Sequence, residues 1–187
     1  MRFLPALAVL TLAPAAAFAH TGGEHAAGLA HGFMHPLGGL DHLLAMLAVG
    51  LFAFRLGGRA LWLVPAAFAG TMALGGLAGL AGLELPAVEI GIGLSVVLFG
   101  LAIAAAWTPG AAVAGAFVAF FAVFHGYAHG AELPAESAAL GYVAGFLAAT
   151  ALLHAAGIGF GALAARHARA AGGLIALAGL ALVAGIA

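Results

Sequence analysis

The chain has no cysteine and no lysine, and charged residues make up only 6% of its 187 positions. Without cysteine there is neither a disulfide nor a thiolate ligand, so any bound metal must be held by nitrogen and oxygen. Soluble domains carry about 25% charged residues, and a chain this poor in charge is not one of them. Its net charge of -1, with no basic patch, gives nucleic acid nothing to bind. What fills the sequence instead is 66% hydrophobic residues, in recurring apolar runs of about twenty, the length of a membrane-crossing helix. The fold class expected is therefore all-α, a polytopic membrane protein whose first partner is the lipid bilayer.

Residues 1–19, MRFLPALAVLTLAPAAAFA, have one early arginine, a short apolar stretch and Ala17-Phe18-Ala19, an A-x-A site. They read as a cleaved secretory signal peptide, the alternative being a retained first helix. Cleavage leaves a histidine-containing segment, residues 20–34, on the periplasmic side of a bacterial inner membrane. A six-helix transmembrane domain follows over residues 35–187. Its expected spans run from His35 to Phe54, Ala60 to Leu83, Ala87 to Trp107, Ala111 to Gly130, Ala138 to Leu163, and Ala170 to the C-terminus. Short connections make sequential helices antiparallel neighbours. Gly75-x-x-x-Gly79 and Gly141-x-x-x-Gly145 suit close helix contact. The sequence shows no second domain; a homo-oligomer is compatible with it but not required.

The arginines orient the bundle. With the mature N-terminus outside, Arg55 and Arg59 in the first loop and Arg166 and Arg169 in the last are all cytoplasmic, as the positive-inside rule asks. Glu24, Asp41, Glu84, Glu89, Glu132 and Glu136 then fall in the outer half, with His20, His25, His31, His35, His42, His125 and His129.

Two stretches concentrate these groups. In HPLGGLDH, His35 to His42, the apolar run that follows is only twelve residues, Leu43 to Phe54. A span needs about twenty, so the helix is expected to extend back through His42 and Asp41 to His35. That puts the two histidines two turns apart on one face. Asp41 could ligate directly or accept a ring N–H from a histidine. In FHGYAHGAE, Phe124 to Glu132, His125 and His129 are four apart, a spacing by which one helix offers two ligands to one metal. Glu132 shares their face if the helix persists. Glu89 reaches the same depth from a third helix as a supporting group. His20 and His25 could form a capture segment, His31 and Met46 would continue the stripe of His35 and His42 if the helix extends so far, and His154 could mark an inward step, although core hydrogen bonding accounts for His154 more simply. Ionisable groups in a span cost up to roughly 2.5–3.5 kcal/mol each at its centre, and this concentration of them points to a shared cation. Neutral imidazole with carboxylate suits Ni2+, Co2+ and Zn2+ without choosing among them; Met34 and Met46 leave copper open. No nucleotide-binding motif is present, so transport would be secondary. Protons compete for imidazole, so uptake should fall below about pH 6.5.

These two motifs, His35 with Asp41-His42 and Phe124-His125-Gly126-x-Ala128-His129-Gly130-x-Glu132, resemble the signatures of the HupE/UreJ family. HTGGEH at the mature start and VEIGIGLS around Glu89 are similar too. The resemblance covers essentially the whole chain. It implies a secondary nickel permease, with cobalt in some members, serving hydrogenase or urease maturation, and a metal set of His35, Asp41, His42, His125, His129 and Glu132. The residues alone leave two rivals: a zinc-dependent intramembrane hydrolase assisted by Ser95 or Glu89, and a metal-binding accessory or sensor protein without flux.

Overall fold

A computed structural model describes residues 28–133 and 139–186. The expected signal segment, His20, Glu24, His25 and Glu136 lie outside the described residues. Among those described there is no strand. The helices are α1 (Leu29–Gly38), α2 (Leu40–Leu56), α3 (Ala60–Leu80), α4 (Val88–Ala104), α5 (Ala111–Ala131), α6 (Ala139–Ala164) and α7 (Ala168–Val183), with a 3-10 turn at Ala165–His167 between the last two.

The first expected span is not one helix. It breaks at Gly39, where the backbone is extended (φ -102, ψ 123), and α1 and α2 meet at a bend of 88°. Paired glycines have no side chain to favour helix over extended backbone and lose the most freedom when ordered. The shared-face argument for His35 and His42 therefore does not apply, and the helix starts ahead of His35, at Leu29. A close-packing role for the pair does not fit Gly38, where an added side chain would meet nothing.

Inter-helix contacts fix the direction of each leg. Gly57 and Gly58, at φ 65 and φ 51, turn the chain from α2 into α3, a conformation that side chains resist. α3 and α5 run parallel, with Gly115 against Leu63 at one end and Gly79 against Ala131 at the other. α6 runs with α2, with Gly50 beside His154 and Gly161 beside Phe54. α7 runs against α4, with Gly172 beside Ala104 and Gly93 beside Val183. The bent α1–α2 unit and α3 to α7 thus make six legs of alternating direction. By length and composition three stretches can cross a membrane, Ala60–Leu80, Ala111–Ala131 and Leu140–Val183, and α1 with α2 makes a fourth. The last stretch holds both α6 and α7, which double back at the 3-10 turn, while α4 is apolar but only 17 residues long.

Small residues set how closely the legs approach. A side chain at Gly126 or Gly130 would run into the backbone of Met72 or Gly76, and one at Gly145 into that of Leu29. Gly75 and Gly79 meet α5 in the same way, as their spacing predicts. The core centres on Phe52, Phe68, Phe99, Met46 and Ile103, all essentially fully buried. Phe52 stacks on Trp107 at 5.9 Å, whereas Trp62 is 81% exposed, as a membrane-interface anchor would be. Arg55, Arg59, Arg166 and Arg169 flank the turns at one end of the bundle, where Arg169 Nε donates to the Ala104 carbonyl at 2.9 Å.

Candidate metal centre

His31, His35, His42, His125 and His129 gather at the end opposite the arginines, whereas His167 lies beside Arg166 in the 3-10 turn; the glycines explain the gathering. Gly126 and Gly130 press one strip of α5 against α3. The neighbouring strip, His125 and His129, is thereby turned inward toward α1 and α2. Both rings are buried, His125 at 0% and His129 at 8% exposure.

Five imidazoles form a file from the surface inward. His31 is exposed and its ring lies 5.9 Å from that of His35. His35 is 4.7 Å from His129, His129 is 4.2 Å from His42, and His42 is 4.6 Å from the fully buried His125. Beyond His125 the Phe68 ring intervenes, 5.6 Å from His125 on one side and 5.4 Å from His154 on the other. At the outer end one ligand atom each from His35, His129 and Glu132 lie within 4.8 Å of one another. His35 Nε2 is 3.9 Å from Glu132 Oε2, and the Glu132 side chain is 69% exposed. The bend therefore achieves what the straight helix was expected to do, because His35 from α1 and His42 from α2 both face His129.

Hydrogen bonding decides which nitrogens are available. Asp41 Oδ1 accepts from the His42 backbone N–H at 2.7 Å and lies 2.9 Å from His42 Nδ1. A carboxylate accepts, so Nδ1 carries the ring proton and Nε2 keeps its lone pair. This is the arrangement in which a carboxylate orients a metal-binding histidine, and it favours the orienting role for Asp41 over direct ligation. Ser95 Oγ sits 2.7 Å from His125 Nε2. His42 Nε2, His125 Nδ1 and both ring nitrogens of His129 are buried without a hydrogen-bond partner, as is His154 Nε2. Buried polar atoms are nearly always paired. Unpaired imidazole nitrogens on adjacent rings suit a cation of borderline softness, so the residues present fit a divalent transition metal.

Other expected groups stand apart. Glu89 is exposed in the first turn of α4 and does not join the cluster. Met34 is 60% exposed and Met46 is buried in the core. His154, 3% exposed, is separated from the cluster by Phe68. Sequence reasoning missed Tyr142 and Phe146 of α6, whose rings lie 5.7 Å from His35 and 4.2 Å from His129. They look like ordinary apolar positions on a long span, and no local pattern marks them.

The sequence profile described as "HupE / UreJ protein" matches residues 7–182. The chain is 51% identical over 184 residues to "Protein HupE" of Rhizobium leguminosarum bv. viciae, covering 96% of this chain and 95% of that one. No solved structure matches. Proteins of this kind are nickel/cobalt permease-type accessory membrane proteins, transporters or accessory factors and not enzymes.

Proposed function

Because this chain belongs to the HupE/UreJ family, we propose that it is a secondary inner-membrane transporter that takes up a divalent transition metal, Ni2+ first and Co2+ second, from the periplasmic side. His35, His129 and Glu132 form the entry site, with His31 at its rim. The hydrated ion exchanges some waters for imidazole while Glu132 offsets its charge. His42 and His125 form the next station, with Asp41 holding the His42 ring and adding negative charge in a low dielectric. His154, behind Phe68, is the inward station. The mature N-terminus, with His20 and His25, stands outside, and the arginine-flanked turns face the cytoplasm.

One observation carries this reading: the file of imidazoles grows more buried inward while His129, His42 and His125 each keep at least one ring nitrogen without a partner. A structural network would pair those nitrogens. Several adjacent, incompletely satisfied stations suit conduction, which needs binding that is favourable yet releasable. A hydrolase does not fit the family. An accessory protein that binds without flux gains one support, since Phe68 closes the file between His125 and His154. Proteoliposomes loaded with a metal-sensitive dye separate the two. External Ni2+ should enter with the intact protein and not with His42→Ala or His129→Ala. Tight binding with no entry would establish the accessory reading, and unchanged entry in both variants would remove the site.

A further inference from the structure

Among the described residues, Ser95 is the only side chain that hydrogen-bonds the innermost imidazole of the cluster, His125. It comes from α4, which contributes no ligand to the proposed entry site. It is 0% exposed, and its Oγ makes two short contacts: 2.6 Å to the Ile92 carbonyl one turn back, and 2.7 Å to His125 Nε2. A hydroxyl has one proton to give. A carbonyl can only accept, so that proton goes to Ile92, the common back-bond of a helical serine. The serine oxygen must then accept from His125, which places the ring proton on Nε2. Nδ1 is left with the lone pair, and Nδ1 is the His125 atom buried without a partner; the centres of the His125 and His42 rings are 4.6 Å apart.

We propose that Ser95 is a positioning residue that fixes His125 as its Nε2–H tautomer and thereby offers Nδ1 to the metal. On α2, Asp41 does the converse for His42, accepting from Nδ1–H and so freeing Nε2. The inner station thus receives one nitrogen of each kind, each set by a different partner. The charged acceptor holds its ring more strongly than the neutral one, so His125 is the ligand that can let go. This deepens the transport reading and rests on it for the metal, but not for the proton.

The test begins with the metal-free, full-length protein in lipid nanodiscs, labelled with 15N-histidine, by solid-state NMR. The His125 signals are those missing from His125→Gln. The expected result is a protonated Nε2 and a bare Nδ1, with Zn2+, a diamagnetic probe, shifting Nδ1. A proton on Nδ1, or Zn2+ at Nε2, would overturn the proposal without any Ser95 variant having to fold. Ser95→Ala should then show both tautomers and bind Zn2+ about 10–100-fold more weakly in competition with a chelating dye, the range for losing an orienting partner. Ser95→Thr, which keeps the oxygen, should restore a single tautomer. A single tautomer and full affinity in Ser95→Ala would reduce Ser95 to packing and overturn its assigned role. If the tautomer is as expected and no metal enters liposomes, the transport reading fails while the assignment of the proton stands.

Discussion

Replacing His129 by leucine should make the metal-free protein more stable and useless for metal. The ring is 8% exposed, and both its nitrogens lack a hydrogen-bond partner. Its packing neighbours are rings: Phe146 and His42 at 4.2 Å and His35 at 4.7 Å. A leucine of similar bulk keeps most of these contacts and removes the unsatisfied polar atoms. Leaving such a group unpaired costs about 1–3 kcal/mol, so the variant should gain about that much. On the scale known for chains of 150–250 residues, that gain raises the melting temperature by roughly 2–4 °C per kcal/mol. Metal should reverse the ranking. Ni2+ at one hundred times its dissociation constant stabilises a binding-competent protein by about 2.7 kcal/mol, and His129→Leu should show almost none of it. Thermal unfolding in nanodiscs, with and without Ni2+, gives all four values. A variant that melts below the native protein without metal, yet keeps the full metal shift, would refute the assignment, since the ring would then be a structural element.

Asp41→Asn keeps the shape at the start of α2 but replaces a charged acceptor by a neutral one; Ni2+ affinity by calorimetry should fall about 10–100-fold with the fold intact. Gly126→Val places branched carbon against the Met72 carbonyl; forcing α3 and α5 apart should cost at least the roughly 1–3 kcal/mol of overpacking, read as lower thermal stability and lost expression, whereas Gly38→Ala, which meets nothing, should be tolerated. His154→Ala should leave external Ni2+ affinity unchanged and slow dye-reported entry, because its ring lies behind Phe68 and outside the entry site; equal loss of affinity and entry would place His154 in the outer cluster instead.

The two histidine motifs, the six alternating legs and the clustering of arginines at one end were all legible in the sequence, because each depends on composition or on distance along the chain. What depends on azimuth or on tertiary contact was not. Counting back from the chain turn assigns Glu89 a depth but says nothing about which way it faces, and its side chain is exposed. Ser95, six residues on and about 240° further round α4, faces the core and meets His125. The break at Gly39 was hidden because a glycine pair is equally consistent with tight packing and with a bend. The meeting of His35 with His42 around His129 required both the bend and the approach of α5, neither of which has a local signature.

Breaking the first span has an electrostatic consequence. A helix that begins at Leu40, beside the buried His42, begins with amide hydrogens that have no partner within the helix, and with the positive pole of its peptide dipoles, worth about half a unit charge, near the route of a cation. Left bare, that pole would repel the cargo. Asp41 counters it, taking one amide hydrogen and the His42 ring proton on a single oxygen, so one carboxylate neutralises the pole and aims the ligand. Removing its charge would therefore raise a barrier to every divalent ion alike, whatever the selectivity of the nitrogens beyond it.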